Sequence, residues 1–164
     1  MSLEEEAIAR LRETFPLGVV GAGAHAGQQW VEMDRGSIVA ALLLCRTELG
    51  CDMLTDLTAV DWMDRGKPER FQVVYQLYAM AKNQSFRLKV WVPETDPSVP
   101  SATSVWKAAG WAEREVWDLF GITFPGNPDL RRLVLPENYT GHPLRKDYPL
   151  IGQGERNNFP RYGL

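Results

Sequence analysis

With 164 residues, 45% of them hydrophobic and 24% charged, the chain has the size and composition of a single soluble globular domain able to bury its own core. That length leaves no room for separate cofactor modules. A net charge of −3 excludes a global positive field that would hold nucleic acid or an anionic membrane. The longest apolar run, Ile38 to Cys45, falls well short of the roughly 20 residues that cross a bilayer, so membrane association is expected only through a partner. The acidic start, Glu4-Glu5-Glu6, lacks the positive charge of a secretory or transit signal and predicts a cytoplasmic chain.

Leu3 to Phe15 sets Ile8, Leu11 and Phe15 at helical spacing beside a charged face, and Pro16 ends the pattern, which predicts an amphipathic first helix. Gly18 to Gly27 holds four glycines and is expected to be a flexible link. Its Gly21-x-Gly23 lacks the preceding strand, third glycine and following helix of a dinucleotide-binding loop. Gln28 to Asp34 alternates Trp30 with Val31 and Met33 as a short strand does. Between a Ser37 cap and Gly50, the stripe Ile38, Ala41, Leu42, Cys45 and Leu49 predicts a core helix. Cys45 and Cys51 cannot complete a four-ligand metal site by themselves and are read as structural thiols.

Strands are expected at Cys51 to Val60, Phe71 to Met80 and Phe86 to Val92, the last two alternating clearly and joined by the polar Lys82-Asn83-Gln84 turn. After Pro93, Pro97 and Pro100, Thr103 to Phe120 reads as a helix with a potential break at Gly110. The order predicts an α+β fold, a ferredoxin-like variant with an antiparallel or mixed sheet and helices on one side. Residues 1–124 would form the globular part. Residues 125–164, with six prolines, would form an extended Pro-rich C-terminal strap for partner docking within a single domain. From residue 127 onward, six basic side chains face four acidic ones, so the tail is basic on an acidic body.

His25 and His142 lack a partner set for catalysis or metal binding, although His142 can make a functional contact. On the last helix, Arg114 and Asp118 stand at i,i+4 and read as a surface pair, while Glu115 and Asp118 share a face and offer a conceivable acid/base pair. Trp106, Trp111, Trp117 and Phe120 are assigned to the core by default, with interface anchoring as the other use of such residues. Arg131-Arg132 and Arg145-Lys146 suit carboxylate or phosphate binding, and internal pairing with Asp129 and Asp147 is the plainer reading.

The run Glu113-Arg114-Glu115-Val116-Trp117-Asp118-Leu119-Phe120-Gly121-Ile122, then Phe124-x-Gly126-Asn127-Pro128-Asp129-Leu130-Arg131-Arg132, resembles the signature of the 30 kDa (C-type) subunit family of respiratory complex I, the proton-pumping NADH:quinone oxidoreductase. The resemblance continues through Leu135-Pro136 and Gly141-His142-Pro143-Leu144-Arg145-Lys146-Asp147-Tyr148-Pro149, and covers roughly residues 30 to 150. Asn127 departs from the His usual in the family. The resemblance implies a peripheral-arm subunit of the respiratory chain without a redox centre, and so no catalytic, cofactor-binding or metal residues of its own. FMN and iron-sulfur clusters would sit in partner chains. It implies packing on the quinone-site (D-type) subunit and the iron-sulfur (B- and I-type) subunits, with the G-type subunit a further candidate, on the cytoplasmic face of the cell membrane. Partner contacts would fall to Arg131, Arg132, His142, Arg145, Lys146, Asp147 and Tyr148. Glu113, Arg114, Glu115, Asp118 and Gly121 would form the structural signature. The alternatives are the equivalent subunit of a membrane-bound hydrogenase or F420H2 dehydrogenase complex, and a free-standing enzyme using Glu115 and Asp118.

Overall fold

A computed structural model describes residues 2–154. Three α-helices and five strands follow in the order α1 (Leu3–Thr14), β1 (Val19–His25), β2 (Gln28–Met33), α2 (Ile38–Thr47), β3 (Met53–Asp61), β4 (Phe71–Ala79), β5 (Gln84–Val92) and α3 (Ala109–Phe120). The sheet runs β1-β2-β5-β4-β3, antiparallel throughout except for the parallel β2–β5 pair. The fold is therefore mixed α+β, as the sequence predicts. Its leading helix, extra hairpin and final three-strand meander set it apart from the βαββαβ order of the ferredoxin-like arrangement.

Alternation places Phe71, Val73, Tyr75 and Leu77 of β4, and Phe86, Leu88, Val90 and Val92 of β5, in one core with Leu3, Ala7 and Leu11 of α1, Ile38 and Leu42 of α2, and Val116 of α3. The helices thus share the apolar face of the sheet. α1 opens with a capping box, in which the Ser2 hydroxyl accepts from Glu5 N–H and the Glu5 carboxylate accepts from Ser2 N–H. α2 begins after Ser37 without a side-chain cap bond.

Two expectations need correction. The Gly-rich segment is strand β1, paired with β2 through Gly23 opposite Trp30 and Gly21 opposite Glu32. Glycine suits those places because a Cβ on Gly23 would lie 2.4 Å from the Trp30 ring and one on Gly21 2.8 Å from the Glu32 carboxylate. The last helix begins at Ala109 rather than Thr103, because Ser101 caps a separate 3₁₀ turn over Ala102–Ser104.

Trp30 is the centre of a rigid outer-face cluster: its Nε1 donates to Glu32, which also accepts from Trp91, and the Lys89 ammonium lies 3.7 Å from its ring centre. Gly23→Val is expected to force this ring aside and lower stability by about 1–3 kcal/mol. Ala22→Val, at an exposed neighbouring position, should change it by less than about 0.5 kcal/mol. Urea unfolding of both variants measures the contrast.

Candidate functional site

α3 carries three buried ionic side chains, each fixing a different stretch of irregular chain. Glu113, fully buried, accepts from the Ser101 hydroxyl (2.7 Å), Ala102 N–H (2.6 Å) and the Asn127 amide (2.8 Å). Burial raises its pKa, and these three donors only partly offset the effect. Arg114, stacked over Trp111, donates to the carbonyls of Arg131 (3.1 Å) and Arg132 (2.8 Å) and pairs with Asp129.

Asp118 is the most heavily used group. Also fully buried, it accepts from Arg132 at 2.7 Å and from the successive backbone N–H groups of Leu133, Val134 and Leu135 at 2.9, 2.7 and 2.9 Å. Burial alone would raise its pKa, but those donors together hold it below the ordinary carboxylate value. Arg132 then reaches on to the carbonyls of Asp118, Tyr139 and Gly141 and lies over the Trp117 ring. At the helix end, Gly121 takes a positive φ, and His142 packs where its Cβ would be while Nδ1 contacts the Asp118 carbonyl at 2.9 Å.

A second clamp lies at the end of β3. Asp61 pairs with Arg70 at 2.9 Å and accepts from Lys146 N–H at 2.8 Å, and Arg70 also binds Asp147 (2.9 Å) and Glu94. Arg145 and Arg70 hold the Asp147 carboxyl well below the usual range. Tyr139 and Tyr148 join hydroxyls at 2.7 Å.

The sequence-predicted residues therefore meet one another, but in other pairings. Arg114 and Asp118 are buried and hold the C-terminal segment, so they are not a surface pair. Glu115 is exposed while Asp118 has its oxygens filled from within, so the two make no acid/base pair. Arg131 pairs with Asp129 and Arg145 with Asp147, matching the internal-pairing reading. Trp106 and Phe120 are buried, whereas Trp111 is 62% exposed. The sequence does not announce Asp61 and Arg70 as a pair: its signals are a charge closing one apolar strand, another preceding the next, and the family-like Glu69-Arg70-Phe71.

From Pro125 to Gly154 the segment has no helix or strand and turns back onto α3 and the end of β3. An extended strap is not seen over this part, and Arg156, Pro160 and Arg161 lie outside the described residues. Outward it presents Val134, Leu144, Leu150 and Ile151, the last two 102% and 84% exposed. Cys45 and Cys51 are both buried and unbridged. Among the described residues no cluster of three His, Cys, Asp or Glu is placed to hold a metal, and no helix is long and apolar enough to cross a membrane.

The arrangement is that of a small α+β module whose buried charges fix the course of its C-terminal segment. The chain belongs to the 30 kDa subunit family of respiratory-chain NADH dehydrogenases, whose family model matches residues 31–154. It is 41% identical to the C subunit of NADH-quinone oxidoreductase from Geobacter metallireducens over 154 residues, 94% of each chain. A solved trypsin-resistant fragment of Nqo5 superposes with a TM-score of 0.67 at 34% identity, over 76% of this chain and 99% of the fragment. A chain of an archaeal membrane-bound sulfane sulfur reductase shares the fold, with a TM-score of 0.75 at 21% identity over 98% of this chain and 95% of that one.

Asp118→Asn removes one partner of a buried ion pair and is expected to cost about 3–5 kcal/mol in urea unfolding. Trypsin should then cut after Arg131 and Arg132 faster than it cuts the parent chain. Asp118, Asp61 and Asp147 all have lowered pKa values, so their stabilisation is complete above the ordinary carboxylate value and lost as pH falls through the lowered ones. Glu113 has the opposite sign: its raised pKa favours the folded state at low pH, and that contribution is lost as pH rises through the raised value. In an NMR titration below about pH 4, the amide protons of Leu133, Val134 and Leu135 should move together as Asp118 takes up its proton. Independent movement would contradict the shared acceptor.

Proposed function

We propose that this chain is a non-redox scaffold of the peripheral arm of a proton-translocating NADH:quinone oxidoreductase, without catalytic residues of its own. Its work is to hold the quinone-site (D-type) subunit and the iron-sulfur (B- and I-type) subunits in register, with the G-type subunit a further neighbour. Electrons then pass from NADH through FMN and iron-sulfur clusters of those partners to quinone. The chain sits at the cytoplasmic face of the membrane and reaches it only through the complex.

The observation that carries this reading is the use of three buried ionic side chains of α3 to fix residues 127–142. Burying charge is costly unless its partners are in place, so a helix that does so three times fixes one shape of the surface above it. Arg132 and His142 act from inside, Arg145, Lys146 and Tyr148 share one cleft with the outward apolar residues, and Arg131 and Asp147 are the further exposed contacts of the segment. Such polar groups beside exposed Leu144, Leu150 and Ile151 suit a protein partner. The names of the relatives favour NADH over a hydrogenase or F420H2 donor, and the free-standing enzyme has lost its carboxylate pair.

A C-terminally tagged chain purified from gently solubilised membranes should bring down the iron-sulfur and quinone-site subunits together with NADH-dependent quinone reduction. Arg145→Ala should lower the yield of assembled complex several-fold by loosening the Asp147 clamp. A fully assembled Arg145→Ala complex that has lost quinone reduction would refute a purely structural role.

A further inference from the structure

A groove remains that neither the core nor the C-terminal clamps use. β3 is an edge strand, hydrogen-bonded within the sheet only to β4 among the described residues. Leu54, Thr55, Asp56 and Leu57 line one cleft of about 280 Å³. Asp56 and Leu57, in regular register with β4 beyond a bulge, both line it although their side chains alternate, so the cleft reaches the strand's edge. The opposite wall is Ala108, the N-cap of α3, with Trp111, Ala112 and Glu115 of the helix, spaced i, i+3, i+4, i+7 on one face. Leu133, held by the Asp118 clamp, completes the lining.

Each part suits an added strand. The free edge of β3 offers unpaired backbone donors and acceptors, and the two alanines let another backbone come close. The exposed Trp111 is a large, stiff anchor for an apolar side chain. The one bulge lies between Leu54 and Asp56, at the start of the strand, and leaves Asp56 to Asp61 in regular register with β4. The lining contains two acids, Asp56 and Glu115, and no base. Charge complementarity therefore selects the occupant.

We propose that an extended segment of a neighbouring subunit, carrying an apolar residue beside a Lys or Arg, adds to the edge of β3 as a sixth strand, seated against Trp111 and paired with Asp56 and Glu115. This rests on the subunit reading above but concerns a different surface from the C-terminal segment. It makes β3, not only the tail, an attachment point.

Hydrogen–deuterium exchange of the isolated full chain and of the assembled membrane complex tests it, reading peptides over residues 53–61 and over the other sheet edge, 19–25. Exchange over 53–61 should slow by roughly tenfold or more on assembly. Photoreactive p-benzoylphenylalanine in place of Glu115 should cross-link to one Lys- or Arg-containing stretch of one neighbour. Glu115→Lys, at an exposed helix position, should lower retention of the chain in the complex about tenfold and Glu115→Gln only about twofold, with the isolated variants melting like the parent. A complex that contains the chain but leaves 53–61 exchanging freely, or protects only 19–25, overturns the strand addition and spares the subunit reading. Equal retention of the Lys variant overturns the charge pairing. A chain that joins no complex overturns both.

Discussion

The C-terminal half of this molecule depends on one buried carboxylate. Asp118 has no exposure, so its charge is tolerable only if donors surround it. Four do, and three of them are consecutive backbone N–H groups. Three successive amides converging on one oxygen fix the direction of the chain more tightly than side-chain contacts could. The fourth donor, Arg132, is itself largely removed from water and must find carbonyls, which come from Asp118, Tyr139 and Gly141. The need to satisfy one charge thus propagates along the irregular chain from Arg132 to Gly141. Such a cluster adds little net stability compared with a packed apolar one, but it penalises every other path of the segment.

Helical geometry explains how α3 serves core and clamps together. At 3.6 residues per turn, Arg114 and Asp118 lie about 40° apart and look onto the same strip, where both meet residues 131–135. Val116 and Phe120 are equally close to each other and lie on the other side, in the core. Glu113, about 100° from Arg114, faces the turn at Ser101 and Asn127. Ala108, Trp111, Ala112 and Glu115 occupy the remaining strip along β3. No face of this helix is idle, which accounts for a segment so rich in both charge and tryptophan.

The sequence made the central strands legible because β4 and β5 alternate over a half-buried sheet, and it made the family legible through the α3 motif. It hid β1, since glycine and alanine carry no polarity contrast to alternate. Their reason for being there, the Trp30 ring and Glu32 carboxylate above them, comes from the paired strand. It also disguised Arg114 and Asp118, because charged residues at i,i+4 are ordinarily solvated and periodicity cannot tell when a later segment will cover them. Asp61 and Arg70 were hidden for the same reason: their partners Lys146 and Asp147 are more than seventy residues away.

The clamps also decide what kind of docking remains for the tail. Its arginines suggest electrostatic capture, yet Arg132 is committed inside, and Arg131 and Arg145 already hold Asp129 and Asp147. Beside the exposed Lys146 they leave Leu144, Leu150 and Ile151 facing outward. Electrostatic capture would weaken steeply with salt, whereas burial of fixed apolar side chains does not. On the scaffold reading proposed above, the internal ion pairs leave Leu144, Leu150 and Ile151 as the part of this surface whose attachment would be governed by fit. The acidic β3 groove is its counterpart, with Asp56 and Glu115 free of any cation in its lining. One face is suited to durable burial and the other to selecting the charge of its neighbour, a division that follows from which carboxylates the fold neutralises internally.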